Sequence, residues 1–196
     1  MKRRMLIVGG GAAAALACGP NGQARVLPQS GPEWFTNVEV VGHDGRTYRF
    51  YDDLLKGKVV MINFFFLDCG AICPLATHNL VAVQELLAQQ VKTKVSMYSI
   101  SLAPFFDTPD RLAAYAEQYG VGPGWLFLTG KPADLDLLRH RLGFVDSDRA
   151  EDADLEQHLG TVRIANEPMH RWIMSPSLLN PQAIVRSVKR VIPEPV

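Results

Sequence analysis

From Lys58 to Leu67 the chain reads as an almost unbroken apolar, β-rich run (Val59, Val60, Met61, Ile62, Phe64, Phe65, Phe66), which predicts a central strand buried on both faces. Immediately afterwards the period changes. Ile72, Ala76, Leu80, Val83 and Leu87 recur at helical spacing, and Pro74 falls in the first turn, where a missing N–H is tolerated. Alternation returns over Lys94 to Leu102, and Asp107-Thr108-Pro109 then opens a helix that runs through Leu112, Tyr115 and Ala116 to Gly120. Trp125 to Leu128 reads as a short strand. Lys131 to Gly143 reads as a helix with Leu135, Leu138 and Leu142 inward and Gly143 as its stop. Thr161 to Ala165 and Arg171 to Met174 form a predicted strand pair, and Asn180-Pro181 opens a last helix with Ile184, Val188 and Ile192 inward. Upstream, Val38 to Val41, a turn at Gly42-His43-Asp44-Gly45, and Thr47 to Phe50 predict a hairpin.

This order predicts an α/β protein with a thioredoxin-like fold: a central mixed β-sheet flanked by helices on both faces, with an N-terminal β-hairpin. The domain starts near Glu33 and takes the rest of the chain, 33–196. Before it, Gly19 to Pro32 is rich in Gly, Pro and polar residues, which suits a tether better than a packed element. No internal repeat is visible.

The junction between the buried strand and its helix carries the chemistry: Cys69-Gly70-Ala71-Ile72-Cys73-Pro74. Unpaired backbone N–H groups and the positive end of the helix dipole favour thiolate over thiol, and thiolates bind soft metals and exchange disulfides. Asp68 works in the opposite direction, since a carboxylate beside Cys69 raises its pKa. Three readings stand at this point: a structural disulfide, a redox-active pair, and a metal site.

Composition narrows the class. The chain has 196 residues and is 47% hydrophobic, enough for one well-buried domain. Lys2-Arg3-Arg4 followed by the apolar stretch Met5 to Ala17 reads as an export signal, shorter than a membrane-spanning helix requires. Arg3-Arg4 partly resembles a twin-arginine signal, with ordinary secretion the alternative. Ala15-Leu16-Ala17-Cys18 resembles a bacterial lipoprotein box, with Ala15 where leucine is usual, so residues 1–18 are expected to be removed or to leave Cys18 as a lipid anchor. From Cys18 onward 17 basic residues face 20 acidic ones, a balance that gives no reason to expect a nucleic-acid partner. With Cys18 committed to the anchor, Cys69 and Cys73 remain as a self-contained pair in an oxidising compartment.

The strand, the CxxxCP motif, its helix, the later unit opening with Asp107-Thr108-Pro109, and the histidine of Gln157-His158-Leu159-Gly160 together resemble the Sco/SenC family over roughly Glu33 to Ile192. The resemblance implies a thioredoxin-like domain on the outer face of a membrane, the periplasmic side of a bacterial inner membrane. It implies that copper is bound by Cys69, Cys73 and His158. It further implies a partner such as subunit II of cytochrome c oxidase, whose binuclear copper centre is assisted by copper delivery or by thiol reduction. Two sulfurs and one imidazole suit both cuprous and cupric copper. The alternative reading is an exported thiol-disulfide oxidoreductase using the Cys69/Cys73 pair, with Cys69, nearer the solvent, attacking, or the reverse. Several positions depart from the family. Ala103 stands where an acid is common, Leu159 follows His158 where a small hydroxyl residue is usual, Gly70 follows Cys69, and Asp68 precedes it.

The other histidines carry less. His43 falls in a turn, His78 and His140 on helices, and His170 in a strand. Asp146, Asp148, Glu151, Asp152, Asp154 and Glu156 read as a solvated acidic loop before His158, or else as a flap or docking surface. Met169 and Met174 read as core filler.

Overall fold

The structure is a computed structural model and describes residues 16–18, 24–26, 31–154 and 160–192. His158 lies outside the described residues. Seven strands form one sheet: Glu39–Gly42 (β3), Thr47–Arg49 (β4), Val59–Phe65 (β5), Val95–Ser101 (β6), Trp125–Gly130 (β7), Thr161–Asn166 (β8) and Arg171–Pro176 (β9), in the order β4-β3-β7-β6-β5-β8-β9. Strands β5, β6 and β7 are parallel, and the flanking pairs are antiparallel. Leu16–Cys18 (β1) and Ala24–Val26 (β2) pair antiparallel in a ladder of their own, so part of the expected tether is a short strand.

Every residue of β5 is buried, as its composition requires. Val59, Met61 and Phe65 enter one core with the helices Ile72–Gln90 (α2), Pro109–Gln118 (α3) and Pro181–Val191 (α6), while Val60, Ile62 and Phe64 enter a second core with Pro32–Phe35 (α1) and Pro132–Arg141 (α4). The helices therefore cover both faces of a mixed sheet. Asn63, the polar interruption of β5, accepts from Ser99 Oγ at 2.8 Å, and Ser99 accepts in turn from Trp125 Nε1 at 2.9 Å. That chain satisfies a buried amide which would otherwise cost ~1–3 kcal/mol. Phe127 is fully buried, edge-on to Phe65 and Tyr115 and stacked on Trp125, and fills the space beneath α2 and α3.

Tertiary structure changes several local expectations. Phe50 does not extend the hairpin. It opens a wide helical turn, Phe50–Leu55, closed by Lys56 N–H on Tyr51 O, because Phe50, Leu54 and Leu55 are drawn into the second core. The last helix ends at Val191, so Ile192 lies one residue beyond it, half-buried, while Val185 and Val191 face inward beside Ile184 and Val188. His170 is not in a strand but in the β8–β9 turn with φ of 51°, one of the positions where a left-handed backbone is tolerated at a cost. Met169 and Met174 are exposed, at 37% and 46%, and do not fill the core.

The acidic segment is not simply a loop. Arg149–Ala153 (α5) forms a short helix capped by Asp148. Asp152 there meets the buried guanidinium of Arg139 at 2.7 Å, while Asp136 holds the same guanidinium at 2.9 Å.

Candidate functional site

Cys69 lies in the turn after β5 and Cys73 is the second residue of α2. Both are reduced and buried, with relative exposures of 5% and 3%, so the expected contrast in solvent access is almost absent. Helix α2 has no Ser, Thr, Asp or Asn at its start, and its cap residue Ala71 makes no side-chain hydrogen bond. Cys69 Sγ takes that role. It accepts from Cys73 N–H at 3.4 Å, with Ala71 and Ile72 N–H also directed to it.

The two thiols consequently diverge. Burial alone would raise the Cys69 thiol, but the backbone N–H groups of Ala71, Cys73 and Ile72, together with the Cys73 thiol, outweigh it and leave Cys69 below its ordinary value. Burial pushes Cys73 up to about 12, and its proximity to the Cys69 sulfur and to Asp107 adds to the rise. The opposing effect expected of Asp68 does not prevail. Its carboxylate points outward and pairs with Arg111 at 3.0 Å.

Asp107 explains how the cysteine turn is held. Its carboxylate is buried, accepts from Ser101 Oγ at 2.6 Å and faces Leu67 N–H at 3.4 Å, so it ties the ends of β5 and β6 together two residues before Cys69. Thr108 caps α3 by accepting from Arg111 N–H, and Arg111 reaches both Phe106 O and Asp68. Asp107-Thr108-Pro109 is thus a brace for the cysteine turn as well as a helix start. Behind Cys73, Thr77 Oγ1 and Tyr115 OH share a buried hydrogen bond of 3.0 Å.

Among the described residues no group of three metal-ligating side chains is formed, and the two cysteines stand as a pair. Gly160, with φ of 80°, stands where a Cβ would come within 3.8 Å of Ile72 Cγ2, and its carbonyl accepts from Ser177 N–H, so the chain enters β8 near the first residue of α2. Two of the remaining histidines are engaged elsewhere. His43 Nδ1 accepts from Phe127 N–H at 3.1 Å, and His140 sits beside Asp136 and Arg139. The sequence marked both cysteines but not Asp107's bracing role, for which the only local signal was a carboxylate just before a capped helix.

A strand-to-helix dithiol on a mixed sheet covered on both faces defines a thioredoxin-like dithiol protein. The chain belongs to the SCO1/SenC family, which it matches over residues 32–193. It is 35% identical to the SCO1 protein homolog of Bacillus subtilis over 77 residues; that match spans 39% of this chain and 39% of the relative, well under two thirds of the relative's length. Among solved structures, BsSco, described with a disulfide switch and as a member of the Sco family of cytochrome c oxidase assembly proteins, superposes with a TM-score of 0.65 at 22% identity, covering 80% of this chain and 92% of that one. ScoI of Arabidopsis thaliana, with copper bound, gives a TM-score of 0.61 at 18% identity over 78% of this chain and 93% of that one. At these identities the superpositions establish the fold.

Proposed function

We propose that the reduced protein carries one copper ion between Cys69, Cys73 and His158 and assists the maturation of a copper centre in another protein, such as subunit II of cytochrome c oxidase. The observation that carries this reading is the buried pair of sulfurs at the start of α2, one of them held in a thiolate-favouring nest of backbone N–H groups. Such sulfurs are soft donors matched to cuprous copper, and an imidazole adds the ligand that tolerates the cupric state. Copper-bound and disulfide-switching members of the fold support it. The entry of the chain into β8 near Ile72 supports His158 as the third ligand, since only Leu159 separates it from Gly160. Export to the periplasmic side and attachment through lipid at Cys18 complete the reading, with residues 19–32 spacing the domain from the bilayer. Among the described residues no helix is long and apolar enough to cross a membrane.

Metal analysis of the reduced protein tests the assignment. One equivalent of copper is expected, lost in Cys69→Ser and Cys73→Ser and weakened in His158→Ala, chiefly for the cupric form. Stoichiometric copper retained by the double cysteine variant refutes it. A second reading, an exported thiol-disulfide oxidoreductase, is favoured by one observation: the unequal thiols suit Cys69 to attack and Cys73 to resolve.

A further inference from the structure

Phe105 and Phe106 follow one another in the loop after β6 and are 80% and 65% exposed. Single exposed apolar residues are ordinary, but two adjacent aromatic rings bordering a cavity are not. Together with Pro104 and Leu135 they wall a cavity of about 430 Å³ between this loop and α4, a volume in the range of ligand-binding clefts. Its polar edge is acidic. Asp136 and Asp152 line it with Arg139 paired between them, and from Lys131 to Asp154 seven carboxylates stand against four cations. Two of those cations are turned to other tasks: Arg139 is held by Asp136 and Asp152, and Arg141 lies over the Trp34 ring. Asp146, Asp148, Glu151 and Asp154 are exposed.

We propose that this cavity docks the copper-accepting partner by taking an apolar anchor side chain from a segment rich in lysine or arginine. The proposal rests on the copper reading for the partner's identity and on charge and shape for its chemistry. Anionic lipid and a second copy of this chain, which would present the same carboxylates, are both disfavoured by the carboxylate rim. The position suits a transfer role. Arg111 holds Phe106 O at 2.8 Å and Asp68 at 3.0 Å, and Asp107 joins the same loop to Leu67, so the wall of the cavity and the turn bearing Cys69 share one frame. A segment anchored there would sit on the loop that Asp107 and Arg111 tie to the turn bearing Cys69.

Fluorescence anisotropy on the full-length protein tests this with three short labelled peptides: one with lysines and arginines around a Phe-Leu pair, one with glutamates replacing the cations, and one with serines replacing the Phe-Leu pair. Only the first is expected to bind. Phe105→Ser with Phe106→Ser should weaken it about tenfold or more, the loss expected when an aromatic contact surface is removed. Asp134→Asn with Glu151→Gln should weaken it about threefold and flatten its salt dependence. Equal affinity for the glutamate peptide, or unchanged affinity in the double phenylalanine variant, overturns the proposal. So do dimerisation or capture by anionic vesicles that this variant abolishes, since they assign the surface to a second copy or to lipid. Copper content is read on the same samples. Copper bound without peptide selectivity overturns the docking site alone, and peptide selectivity without copper overturns the copper reading and the partner's identity while leaving the docking chemistry standing.

Discussion

The backbone N–H of Cys73 donates to Sγ of Cys69 at 3.4 Å, so one cysteine supplies the helix cap that the other's helix lacks. The arrangement couples redox state to local structure. Whatever consumes the Cys69 sulfur, a metal or a disulfide, takes an acceptor away from the start of α2.

The same contact predicts the order of thiol chemistry. Cys69 lies below its ordinary value and Cys73 is pushed up to about 12, so of the two sulfurs Cys69 ionises first. Timed alkylation followed by peptide mass spectrometry should modify Cys69 first, with a rate that rises at lower pH for Cys69 than for Cys73. Both reactions should be slow, since both sulfurs are buried. Prior modification of Cys73 contradicts the assignment.

Oxidation and metal binding should exclude each other, because a disulfide uses both thiolates that would hold copper. The air-oxidised protein should lose about two daltons, located on the Cys69–Cys73 peptide, and take up no copper. Reduction should restore both readings. Two freely alkylated cysteines after oxidation, or copper bound by the disulfide form, would disprove the exclusivity.

The sequence made some of this legible and concealed the rest for identifiable reasons. The unbroken apolar run of β5 and the helical spacing of Leu80, Val83 and Leu87 after the two cysteines are local signals, and they place the dithiol at a strand-to-helix junction. The turn at Phe50–Leu55 is a tertiary outcome: Phe50 has strand propensity, but the second core beneath β4 and β5 draws it inward. The acidic segment reads as solvated by composition. Its Asp152 is instead committed to Arg139, whose burial no local pattern announces. Asp107 was visible as an acid before a helix, yet its partners Leu67 and Ser101 lie on two different strand exits.

Membrane attachment should depend on Cys18. The apolar stretch Met5 to Ala17 is shorter than the ~20 residues a spanning helix needs, so stable retention requires lipid. Cys18→Ser should move the protein to the soluble fraction, scored together with N-terminal processing. A variant that stays membrane-bound with its N-terminus intact identifies an uncleaved anchor and rules out the lipoprotein reading. A wild-type protein cleaved beyond Cys18 and freely soluble rules out both.

Asp107 predicts a pH dependence of stability. Burial raises its pKa above the ordinary carboxylate value, and the hydrogen bonds from Ser101 and Leu67 and the charge of Arg111 offset that only in part. The unfolded chain therefore releases this proton at lower pH than the folded one, and within that window the folded state binds more protons. Stability must then fall as pH rises from about 4 through the raised folded value, with the full penalty present above it. Asp107→Asn cannot titrate and keeps only one accepting oxygen for the two donors, Ser101 Oγ and Leu67 N–H. It should be destabilised by ~1–3 kcal/mol at acid pH, the cost of a buried group left unpaired, with the gap to wild type narrowing as pH rises. Urea midpoints collected across the acid to neutral range decide the matter: a gap that widens with pH would show that Asp107 is stabilised as its anion, and the brace would then act as a buried charge and not as a hydrogen-bonded acid.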